Sequence, residues 1–149
     1  MEKRIRKMVM RQVVLGKVSS SYKSNIYSKP ISKEEFDIFI EELQEGPQIV
    51  TMPVPPYRHA FLIDVDTKED KIKISDWNGC ITNDVSSEWI LYSKLINTLK
   101  KKYKHFDTEY YEIDADIYLK AKMKHSECNG GGCSYYIYEW IKKYYPEYK

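Results

Sequence analysis

The 149 residues suffice for one domain whose core needs neither disulfides nor a metal to hold it. Hydrophobic content of 42% with 31% charged residues excludes a disordered chain, and no stretch reaches the roughly 20 apolar residues of a membrane helix. A net charge of +2 is too mild for a dedicated nucleic-acid binder.

In chain order, the first 20 residues are basic with a short apolar patch. They have no small-residue cleavage site and do not read as a signal peptide. Residues 1–30 show little apolar periodicity and end at Lys29-Pro30, so they are expected to form a basic arm, with the folded domain at 31–149. Ser32 and Glu35 make a capping box for a helix carrying Phe36, Phe39, Ile40 and Leu43, which Glu45-Gly46-Pro47 ends. Ile49 to Val54 reads as a strand running into Pro53, Pro55 and Pro56. His59 to Val65 and Lys71 to Asp76 read as the two strands of a hairpin.

A helix from Ser86 to Lys104 follows, with Trp89, Tyr92, Ile96, Leu99 and Tyr103 at steps of three and four. Tyr110 to Leu119 reads as extended. After Gly130, Gly131 and Gly132 a last helix runs from Cys133 to Tyr145, with Tyr136 or Ile137, then Trp140, Ile141 and Tyr144, facing inward. Pro146 stops it. The fold class is α+β. Two basic clusters, Lys3/Arg4/Arg6/Lys7/Arg11 and Lys100/Lys101/Lys102/Lys104, read as solvated surface or as contacts to a polyanion. Three cysteines, an odd number, imply at least one free thiol in a reducing compartment.

The hairpin brings two titratable groups together. With a turn centred on Thr67 and Lys68, Phe61 faces Ile74, Ile63 faces Ile72 and His59 faces Asp76, so that the last two share a face. An aspartate against an imidazole orients the ring and stabilises its charged form. The same pair also reads as a plain ion pair at a sheet end. The sequence Cys128-Asn-Gly-Gly-Gly-Cys133 then places a thiol at the start of an amphipathic helix. There the helix dipole lowers its pKa, and an adjacent imidazole would make it a nucleophile. Two other readings stand beside this one. Cys133 also reads as a structural cysteine at a helix start, or as sharing a zinc ion with His125 and Cys128, with Cys80 or His105 as fourth ligand, although the spacing fits no common zinc knuckle or finger.

The order His59, Asp76, Cys133, the 17 positions between the first two, the strand reaching Pro53 before the histidine and the Asn129-Gly130 loop before Cys133 resemble the adenain-like and SUMO-protease-like cysteine peptidases. The resemblance covers about residues 49–145. It implies a papain-like thiol protease fold of that type, a central mixed sheet flanked by helices, with His59, Asp76 and Cys133 as catalytic triad and neither metal nor other cofactor. Two positions depart from the pattern. Ala60 stands where the family has Trp, and Glu127 stands where it has the glutamine that donates to the oxyanion. An ionised Glu127 cannot donate. Either a protonated Glu127, the Asn129 amide or backbone N–H groups would fill that role.

The compact size favours, within this resemblance, a viral maturation protease acting on capsid or core precursors in the virion or host-cell cytoplasm. Nucleic acid or a peptide would be candidate activators, and no membrane is implied. The alternatives are an isopeptidase removing a ubiquitin-like modifier and a catalytically weak interaction domain of the same fold.

Overall fold

A computed structural model describes residues 9–16, 31–54, 57–77, 90–128 and 132–148. Among them the order is β1 (Arg11–Val14), α1 (Lys33–Glu42), β2 (Gly46–Val54), β3 (Tyr57–Asp66), β4 (Lys71–Ser75), α2 (Ile90–Lys102), β5 (Asp107–Tyr110), α3 (Ala115–Cys128) and α4 (Gly132–Tyr144). The strands form one five-stranded mixed sheet in the order β1-β2-β3-β4-β5. The outer pairs β1–β2 and β4–β5 are parallel and the inner two are antiparallel. The class is therefore α+β, as the sequence implied.

Alternation along the strands sends apolar residues to both faces. Val50, Met52, Phe61, Ile63, Ile72 and Ile74 pack against Phe36 and Phe39 of α1 and against Tyr92, Leu95 and Leu99 of α2. On the other face Leu62 and Met10 meet Ile117 and Ala121 of α3 and Tyr136, Ile137, Trp140 and Ile141 of α4. The helix α1 starts as expected, with Ser32 Oγ accepting the Glu35 N–H at 3.1 Å and lying 3.3 Å from the Glu35 carboxylate. Gly46, at φ +88°, makes the turn into β2 that a side chain would strain. Pro47 and Pro53 are tolerated inside the sheet because β1 pairs only with the residues between them, Gln48 to Thr51.

Three expectations are corrected. The segment 1–30 is not wholly an arm: residues 11–14 form an edge strand, and Met10, Val13 and Leu15 are buried in the core. Its other residues, 1–8 and 17–30, lie outside the described ones. Tyr110 to Leu119 is not extended throughout, because β5 ends at Tyr110 and Ala115 begins α3. Asp114 caps that helix, its carboxylate accepting the Ile117 N–H at 3.1 Å. Tyr144 is 47% exposed and not part of the inward stripe of α4. The expected start of α2, residues 86–89, lies outside the described residues.

The hairpin register also differs. Ile63 pairs with Ile74 and Val65 with Ile72, two positions away from the expected pairing. The turn takes in Thr67 to Asp70 instead of being centred on Thr67 and Lys68. Asp66 stabilises the longer turn, its carboxylate accepting the N–H groups of Lys68 at 2.9 Å and Glu69 at 3.1 Å, and Asp70 closes it at φ +52°. A shift of two leaves every side chain on its original face, so His59 and Asp76 still point the same way.

Candidate active site

The longer turn makes His59 and Asp76 diagonal neighbours, since Leu62 opposite Ser75 is the last ladder pair before Asp76. Diagonal positions are within reach of long or ring-bearing side chains. Both Asp76 carboxylate oxygens lie 2.8 Å from His59 Nε2, and both residues are buried, at 5% and 3% exposure. The imidazole is stacked on Phe61 with centroids 5.6 Å apart and planes at 20°, and Tyr92 of α2 tilts against both rings at 6.4 and 4.8 Å. The ring is thus held in plane by Phe61 and Tyr92 and at its tip by Asp76.

The helix α4 delivers the thiol. Burying Ile137 and Ile141 against the sheet contributes about 1.5–3 kcal/mol each, and Lys142 and Lys143 complement the dipole at its last turn. Two carboxylates hold its far end. Asp114 accepts from Lys143 Nζ at 2.6 Å and Tyr144 OH at 2.7 Å, while buried Asp64 accepts from Tyr145 OH at 2.8 Å. With that end fixed, Cys133 in the first turn of α4 reaches β3. Its Sγ accepts the Ala60 N–H at 3.5 Å and is hydrogen-bonded to His59. Asp76 takes Nε2 of His59, which leaves Nδ1 as the ring nitrogen available to the thiol.

The electrostatics of the pair run in opposite directions. Burial pulls the His59 pKa down, but Asp76 and Cys133 together outweigh it and push it up to about 9. Burial likewise pushes the Cys133 thiol up. The hydrogen bond and charge of His59, the Ala60 N–H and Ser134 outweigh that, and the net direction is below the ordinary thiol value. Each shift favours the charged form, the thiolate of Cys133 and the imidazolium of His59.

The structure thus brings His59, Asp76 and Cys133 together. Glu127 lies in the last turn of α3 with its side chain outside the described residues, and Asn129 lies wholly outside them, so the oxyanion candidates are not placed. Cys80 is outside them as well, as are the side chains of His125 and Cys128. The zinc reading therefore turns on side chains outside the described residues, while the Cys133 sulfur is engaged by the Ala60 N–H and by His59. Phe61 and Tyr92 are expected from the sequence as apolar packing residues, not as supports of His59. Phe61 carries a signal, being two positions from His59 and hence on its face, but nothing local ties Tyr92 to the histidine.

No family model, no curated protein and no solved structure matches the chain.

Proposed function

We propose that the chain is a cysteine peptidase in which Cys133 is the nucleophile, His59 the general base and acid, and Asp76 the group that orients His59. The observation that carries this is the shared position of His59, with Asp76 on one ring nitrogen at 2.8 Å and the thiol of a helix-start cysteine on the other side. The Cys133 thiolate would attack the carbonyl carbon of a peptide bond, moving the carbonyl electrons onto oxygen. First-turn N–H groups of α4, which have no intrahelical acceptor, are suited to receive that oxyanion. Collapse of the tetrahedral species breaks the C–N bond, and the imidazolium gives its proton to the departing amine. Water then attacks the thioester as His59 takes its proton, and collapse of the second tetrahedral species releases the acid and regenerates the Cys133 thiolate beside the His59 imidazolium.

On the strength of the resemblance, the proposed fold assignment is the papain-like one of the adenain-like and SUMO-protease-like peptidases. The proposed substrates are polypeptides, namely viral capsid or core precursors met in the virion or host-cell cytoplasm. The mixed sheet with helices on both faces is compatible with that assignment.

Brief alkylation with iodoacetamide near neutral pH, followed by peptide mapping, tests the nucleophile. Cys133 is expected to react much faster than Cys80 and Cys128, and the protein to cut an unfolded polypeptide in a manner lost in Cys133→Ser. Equal labelling of the three thiols, or cutting that survives Cys133→Ser, would sink the assignment.

A further inference from the structure

A groove of about 380 Å³ opens beside Cys133. One end is formed by Ala60 and Ser134, respectively the donor to the Cys133 sulfur and its neighbour in sequence. From there the groove follows α4 past Ile137 to Ile141 and crosses the sheet from Ala60 over Thr51 to Gln12. The pairings Thr51 with Ala60 and Gln12 with Ile49 put all these side chains on the face that α4 covers. The helix buries Ile137 and Ile141 but leaves Gln12 exposed and Thr51 only half-buried, so the sheet remains accessible at its β1–β2 end.

We propose that this groove is a substrate subsite that takes an extended polypeptide segment flanking the scissile bond and selects branched aliphatic side chains. The inference rests on the peptidase reading of Cys133. Continuity argues for the occupant, because the groove begins at the two residues that flank the nucleophile. Size argues for it as well. Ser134 to Ile141 rises about 10 Å along α4, and three residues of extended chain span about the same length. The walls give the selectivity. Half-buried Ile49 and exposed Tyr138, with the edges of buried Ile137 and Ile141, offer apolar surface, while Ser134, Thr51 and Gln12 supply hydroxyl and amide groups for the peptide backbone but no charge. A carboxylate or ammonium placed there would be desolvated with no partner among these residues.

The test uses the full chain and two series of peptide electrophiles directed at Cys133. Chloromethyl ketones carry the peptide on the acyl side of the reacting centre, and epoxysuccinyl peptides carry it on the leaving-group side. The rate of Cys133 labelling is read with Leu, Ile, Ala or Asp at each of three positions, and iodoacetamide reports thiol reactivity independently of the groove. In one series, Leu or Ile at one position is expected to label at least tenfold faster than Asp. Thr51→Trp and Gln12→Trp, both at accessible positions, should each remove most of that preference by filling the groove.

If both series are flat while iodoacetamide still selects Cys133, the groove assignment falls and the peptidase reading stands, whether another part of the chain fills the groove or the substrate runs elsewhere. A preference that survives intact in both Trp variants overturns the groove equally. Unselective iodoacetamide labelling removes the peptidase reading itself, and the subsite with it.

Discussion

Both carboxylate oxygens of Asp76 sit 2.8 Å from Nε2 of His59, a diagonal contact made just beyond the last β3–β4 ladder pair. Asp76→Asn removes one of the two influences that oppose burial at His59. The imidazole pKa is then expected to fall from about 9 and that of the Cys133 thiol to rise. Turnover should drop by about 10⁴-fold, the loss that follows when the orienting carboxylate of a triad is neutralised. The alkylation rate of Cys133 against pH is the sharper readout, because its rise must move to higher pH. A profile superimposable on the wild type would contradict the coupling.

Opposite shifts in the pair also define a pH window. Peptidase activity is expected to rise at a pH below the ordinary thiol value, as Cys133 ionises, and to decline near pH 9 as His59 loses the proton it must give to the amine. The same shift affects stability. His59 binds its proton more tightly folded than unfolded, so its contribution is complete below its ordinary value of 6.5 and is lost as pH rises through about 9. The depressed Cys133 pKa acts in the other sense, its contribution being present above the ordinary thiol value and lost as pH falls through the folded one. Cys133→Ser removes one partner, and an NMR titration of His59 should then give a midpoint below about 9.

The aromatic support of the imidazole should be visible in the same titration. An imidazolium over the face of Phe61 gains a cation–π term of about 0.5–2 kcal/mol that the neutral ring does not. Phe61→Leu keeps an apolar side chain at a fully buried position but lacks the π face. It is expected to lower the His59 pKa and reduce kcat roughly tenfold, a change of about 1.4 kcal/mol. Equal pKa values in Phe61→Leu and wild type would leave Phe61 with a packing role only.

At the far end of α4 the prediction concerns stability. Asp114 caps α3 and accepts from Lys143 and Tyr144, and these contacts, the Lys143 hydrogen bond foremost, hold its carboxyl well below the usual carboxylate range. Asp114→Ala should cost about 1–2 kcal/mol from the lost cap alone. Because the pKa is depressed on folding, this stabilisation is present above about pH 4 and is lost as pH falls further. Urea denaturation from pH 7 down to pH 2 should show a smaller loss for Asp114→Asn than for the wild type.

Much of this architecture was legible because it follows local rules. Ser32 with Glu35, the alternation of Lys71 to Ser75, and the stripe of Tyr136, Ile137, Trp140 and Ile141 each mark their element without help from the rest of the chain. The parts that were not legible depend on distant partners. Arg11 to Val14 is too short to show a period, and it becomes a strand only by pairing with Gln48 to Thr51. Among its described side chains, the helix α3 buries Ile117 and Ala121 while exposing Leu119 and Met123, so its apolar periodicity is faint. The hairpin turn was lengthened by an Asp66 side chain whose bonds cannot be counted from spacing. The His59–Asp76 proximity survived that error because a slip of two preserves the face. A slip of one would have sent the two groups to opposite sides.

Chain order gives the site an order of assembly. His59 and Asp76 belong to one hairpin, a unit that forms in about 1–10 μs once its residues are free. Cys133 lies far downstream on α4, and at about 5–20 residues per second its synthesis follows Asp76 by seconds. His59 and Asp76 can therefore pair on the ribosome seconds before Cys133 is made. On the peptidase reading proposed above, a nascent chain stalled ahead of Gly132 should show the His59–Asp76 pair and no hydrolytic activity.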